Sequence, residues 1–143
     1  GAMAVGASVN IQTIPGYLPL RQDAQFASVF EPNAIALVGK DNVSHINHRT
    51  GSTDMGDISN LMPAIHPYVG GATGLGHGAT YVVEDYSLAV VTAAKSMAAT
   101  AIDLLHNNAQ TGNKIVADHR PHMTRNEYLK FMRSLDKEET FEA

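Results

Sequence analysis

The stretch 86–106 constrains what this chain can fold into more than any other. Leu88, Val91, Met97, Ile102, Leu104 and Leu105, with alanines between them, leave only a narrow polar stripe around Lys95 and Asp103. That spacing predicts a helix, and a helix apolar nearly all round is expected to be covered on most sides. Its small residues suit close packing, with a sheet as the expected neighbour. Asn107, Asn108 and Gly112 are expected to end it.

The remaining chain fits one compact domain. With 143 residues, 44% of them apolar and 17% charged, it is too apolar and too weakly charged for a disordered protein. A net charge of −4 and no dense Lys/Arg stretch argue against nucleic acid, whose binding needs clustered cations. The absence of cysteine excludes a disulfide framework, a thiolate metal site and a cysteine nucleophile. No uninterrupted run reaches the roughly 18 to 20 apolar residues of a membrane span. Gly1, Ala2 and Met3 resemble a protease-cleavage scar, and no basic-then-apolar secretory segment follows. The expectation is a soluble, cytoplasmic protein with no membrane partner.

Along the chain, residues 9–14 alternate apolar and polar and predict a half-buried strand, which Pro15 and Gly16 stop. Asp23 is placed to cap a helix carrying Phe26, Val29, Phe30, Ala34 and Leu37 at three- and four-residue spacing. Pro32 is expected to kink or split it, and Gly39 to end it. Residues 40–60 read as a long polar loop, of the kind that is usually functional. Residues 62–69 read as a short, proline-restricted strand and 70–78 as a glycine-rich turn. A short strand over 79–83 follows. Thr124 and Glu127 carry the pattern of a capping box for a last helix. The acidic tail 136–143 is expected to fray.

Seven histidines and the carboxylates are the available transition-metal ligands. His45 and His48 are three apart, as are His119 and His122, but both pairs lie in polar sequence and read as solvated. His106 is expected to meet the end of its helix. His77 stands between glycines, accessible and open to orientation by the backbone. Gly51, Ser52, Thr53, Asp54 and Asp57 offer hydroxyls, carboxylates and free N–H groups, which suits anion binding or support of a metal ligand. The alternative is a turn that satisfies its own backbone.

Taken in order, Gly51-Ser52-Thr53-Asp54-Met55-Gly56-Asp57-Ile58-Ser59, then Met62-Pro63-Ala64-Ile65-His66-Pro67, then Gly76-His77-Gly78, then the small-residue helix, resemble the C-terminal part of a zinc metallopeptidase family. That family includes aminoacylases, glutamate carboxypeptidases and amidohydrolases similar to aminobenzoyl-glutamate hydrolase. The resemblance covers most of residues 5–106. It implies an α/β fold: the C-terminal part of a mixed-sheet α/β sandwich over 20–106, with the end of a lid, or dimerisation, domain and a crossover over 4–19. Residues 107–143 form an extension outside it. By this likeness His77 is the last metal ligand, and Gly51, Ser52, Thr53 and Asp54 form the active-site loop that holds substrate. His66 either lines the pocket or is a structural histidine between prolines.

The family carries its His-x-Asp or Cys-x-His ligand pair, a bridging carboxylate and a Glu base upstream of this part, and nothing here matches those. Gly78 also stands where the family often has Ser. The resemblance therefore implies a C-terminal fragment of a metal-dependent amidohydrolase, acting on an N-acyl amino acid or small peptide and inactive alone. The parent site holds two zinc ions, of which this chain offers one ligand. A non-catalytic binding or oligomerisation module is the alternative, and a small protein binding metal through several histidines is a third. Exposed strand edges and apolar surface would favour a homo-oligomer.

Overall fold

The structure is a computed structural model that describes residues 1–46 and 51–142. Strand β1 spans Val9–Thr13, helix α1 Ala24–Val38 and helix α2 Met55–Leu61. Two-residue strands follow, β2 at Ala72–Thr73 and β3 at Val82–Val83. A π-helical turn, Ser87–Thr92, leads into helix α3, Ala93–Asp118. Helix α4, Arg125–Leu135, and strand β4, Lys137–Phe141, complete the order.

The described strands form two separate antiparallel ribbons, β1 with β4 and β2 with β3. Val9 pairs with Phe141 and Thr13 with Lys137, so residues 4–19 and the C-terminal extension share one ribbon. The acidic tail is thus a strand and not a frayed end. Asn10 Nδ2 donates to Glu138 Oε1 and to Thr140 Oγ1, both at 3.0 Å, which gives the charged strand a partner that local sequence does not announce.

Helix α1 begins as its sequence predicts: the Asp23 carboxylate accepts from the Phe26 amide at 2.9 Å. It runs through Pro32 as one helix. Proline removes a single backbone donor there, and packing against α3 holds the rest together. Part of the expected 40–60 loop is helical, since Met55–Leu61 forms α2. Residues 62–69 contain no strand; Pro63 and Pro67 cannot donate to a ladder.

The largest correction concerns α3. It does not stop at residues 107–112 but breaks there: His106 leaves helical geometry and Asn107, Asn108 and Ala109 take left-handed backbone before the chain re-enters a helix to Asp118. Nor is it buried. Met97 is 65% exposed, Ile102 65% and Leu105 69%, whereas Ser96 and Thr100 are buried. Ser87–Asp118 is also long and apolar enough to cross a membrane, with an 18-residue window of mean hydropathy 1.5. A count of uninterrupted apolar residues misses this because Lys95, Asp103 and small polar residues punctuate the run.

The core is correspondingly small. Ala34, Ala64 and Ile115 are the buried apolar residues among those described. The chain exposes 10708 Å², about half as much again as the roughly 7,100 Å² expected of a folded monomer of 15.3 kDa.

Candidate functional site

The loop entering α2 satisfies its own backbone. Thr53 Oγ1 accepts from the Met55 amide at 3.3 Å, and the Thr53 carbonyl accepts from the Gly56 amide at 2.9 Å. Gly51, Ser52 and Asp54 are exposed, and Thr53 is half-buried. Thr53 thus spends its hydroxyl and carbonyl within the loop, and Gly51 and Ser52 face solvent.

Beyond the loop, α2 acts as a polar clamp on residues 18–21. Gly56 lies so close beneath the Leu18 carbonyl that a Cβ there would sit 1.7 Å from its oxygen. Asp57 Oδ1 accepts from the Leu18 amide, and Ser59 Oγ from the Arg21 amide, both at 2.9 Å. Asn60 Nδ2 donates to the Pro19 carbonyl at 2.9 Å and to the Gly56 carbonyl at 2.8 Å. Tyr128 of α4 hydrogen-bonds Asp57; burial first, then this carboxylate, holds its phenol above the usual range. From the sequence, Asp57 belongs to the loop that suits anion binding or a self-satisfied turn, and Ser59 only to the stretch that carries the family resemblance. In the structure both side chains accept from the backbone of residues 18–21.

His66 is half-buried and stacks on Tyr68, with ring centroids 5.4 Å apart and planes at 27°. Its Nδ1 is buried without a hydrogen-bond partner. The His66 amide donates to Gln22 Oε1 at 2.9 Å, which ties this segment to the start of α1.

His77 stands on the turn between β2 and β3, exposed, with φ at 62°. The turn is tight because Gly74, at φ 84°, brings its Cα against the Thr80 carbonyl, where a Cβ would come within 2.1 Å. The Gly78 amide donates to the Leu75 carbonyl at 2.8 Å. No hydrogen bond or ion pair among the described residues joins His77 to Gly51, Ser52, Thr53, Asp54 or His66. No three His, Asp or Glu side chains among the described residues gather in a way that would hold a metal ion.

A His–carboxylate contact shielded from solvent lies elsewhere. His119 Nδ1 is 3.1 Å from Asp23 Oδ2, and each side chain is 15% exposed. Burial raises the Asp23 pKa, but the Phe26 amide and the His119 imidazole outweigh it, leaving the carboxylate below its usual range. His119 caps the end of α3 in extended backbone, so it shares no helical face with His122, which is exposed. The expected solvation of this pair holds for His122 and fails for His119. The partners are 96 residues apart, and no local pattern signals their meeting. A cleft of about 230 Å³ beside them is lined by Arg21, Gln22, Arg120 and His122.

His45 meets Glu31 at 3.1 Å on the exposed face of α1. His48 lies outside the described residues. His106 is exposed at the break in α3 and not at its end. Comparison with protein-family models, with curated proteins and with solved structures found no match.

Proposed function

We propose that this chain is the C-terminal part of a metal-dependent amidohydrolase or peptidase that hydrolyses the amide bond of an N-acyl amino acid or small peptide. One observation carries the reading: His77 projects an exposed imidazole from a turn whose backbone suits glycine better than histidine. A strained, solvated histidine contributes little to folding, which favours a role in binding.

Zinc is the metal this reading implies, and the described residues alone do not gather a site for it. A catalytic zinc takes about three protein ligands plus water, and among the described residues His77 belongs to no group of three such donors. No chemical step is therefore assigned to zinc within residues 1–143. In the proposal, donors and a Glu base from outside this stretch complete the site, and the exposed backbone at Gly51 and Ser52 contacts the substrate.

Sequencing the source gene ahead of Val5, together with metal analysis of the dialysed chain, tests the proposal. His-x-Asp and Glu-Glu motifs upstream, and no stoichiometric zinc in the isolated chain, are the expected results. Retained zinc, or hydrolysis of N-acyl amino acids by the chain unaided, would overturn it. The second reading, a non-catalytic assembly module, is favoured by the uncovered apolar face of α3 and gains if those motifs are missing.

A further inference from the structure

The cleft beside Asp23 and His119 is built from two stretches of chain far apart in sequence, and α2 holds both. Ser59 and Asn60, consecutive and buried, each fix the backbone of a basic residue in its lining. Ser59 Oγ accepts from the Arg21 amide at 2.9 Å, and the Asn60 carbonyl accepts from the His122 amide at 3.1 Å. Arg120 lies on the same wall, where its Nη1 donates to the Ala117 and His119 carbonyls, both at 2.9 Å. Those two bonds pin the guanidinium and leave its other N–H groups available.

The charges around the cleft are unevenly committed. Asp23 is taken by the Phe26 amide and His119, and Asp118 by Lys114 and Gln25. The Arg21 guanidinium has no hydrogen-bond or ion-pair partner among the described residues, and Arg120 meets only neutral carbonyls. The lining thus keeps two guanidiniums that no carboxylate neutralises, with His122 as a further donor. His119 Nε2, in the same wall, is buried without a hydrogen-bond partner, and a buried orphan of this kind is expected to find one when its site is in use. We propose that the cleft binds a compact phosphate dianion, free or as a small monoester, through Arg21, Arg120 and His122. Two guanidiniums from different stretches suit a doubly charged group with several acceptor oxygens better than a monocarboxylate. At about 230 Å³ the cleft is smaller than the roughly 300–1,000 Å³ of pockets for drug-sized molecules, which restricts it to a small ligand.

Isothermal titration calorimetry of the whole chain at neutral pH and constant ionic strength tests the site, with inorganic phosphate, glycerol 3-phosphate and acetate as titrants. Inorganic phosphate and glycerol 3-phosphate are expected to bind saturably, one per chain, and the tighter of the two shows whether the cleft takes the free ion or an ester. Arg21→Gln and Arg120→Gln are each expected to weaken that binding by about 10-fold or more, since a hydrogen bond to a charged group is lost. Arg21→Gln keeps its amide bond to Ser59, so its far-UV circular dichroism is expected to match wild type. Arg133→Gln, on α4 and outside the cleft lining, is expected to bind as wild type does. No saturable binding of either phosphate, acetate binding as tightly, unchanged affinity in both cleft variants, or an equal loss in Arg133→Gln overturns the proposal. None of these outcomes bears on His77, whose test rests on upstream motifs and zinc.

Discussion

The Asp23 carboxylate grips two partners at once: one oxygen accepts from the Phe26 amide at 2.9 Å, and the other meets His119 Nδ1 at 3.1 Å. The start of α1 and the end of α3 are thereby tied through a single side chain. Its folded pKa is lowered, so the linkage sign is fixed: the stabilisation is present above the unfolded carboxylate pKa and is lost as pH falls through the folded one. Urea midpoints measured from pH 7 down to 3 are expected to decline in the acid range, with a shallower decline in Asp23→Ala. At neutral pH that variant is expected to lose about 1–2 kcal/mol, the upper range for a helix cap, because His119 also loses its partner.

Gly56→Ala separates helix propensity from close packing. Alanine favours an exposed helix over glycine by up to about 1 kcal/mol, but here its Cβ would meet backbone, not a movable side chain. Urea denaturation is expected to show a net loss of about 2–3 kcal/mol. Gly16→Ala, with open space around the glycine, is expected to change stability by less than about 0.5 kcal/mol.

Tyr128→Phe removes the hydroxyl that bonds Asp57 while leaving the ring in place. Asp57 keeps the Leu18 amide as a partner, so the expected loss is less than about 1 kcal/mol. The Tyr128 pKa is raised on folding, so its contribution is complete below the unfolded phenol pKa and disappears as pH rises through the folded one. Thermal melts across the alkaline range should therefore decline less steeply in Tyr128→Phe than in wild type.

His77→Gly is expected to raise stability by about 0.5–1 kcal/mol, because glycine adopts positive φ without the steric cost borne by a side chain. A higher melting temperature in the variant would show that histidine is held there at the expense of folding. A lower one would mean that the imidazole makes stabilising contacts, and would count against a ligand role.

Local chemistry was the legible part of this fold. Asp23 and Thr124 cap the helices they precede, and Thr124 forms its reciprocal box with Glu127, because a cap needs only three or four residues to be read. The alternation at Val9 likewise predicts β1, but the strand is exposed from Asn10 to Thr13 and not half-buried. What stayed hidden depends on partners far away in sequence: β4 on β1, His119 on Asp23, and the polar clamp of α2 on residues 18–21. The composition of α3 predicts a covered helix, yet Met97, Ile102 and Leu105 are exposed. For the candidate site, glycines around His77 announced an accessible turn, while the loop at Thr53 resolved into hydrogen bonds that either reading of its sequence allowed.

The pairing of β1 with β4 sets an order of events during synthesis. β1 is made some 128 residues before its partner. Closing a loop of that length costs roughly 4 kcal/mol in chain entropy. Docking α1 on α3 first would shorten the effective loop, and until β4 is made β1 is an unpaired edge open to chaperones or to a neighbouring nascent chain.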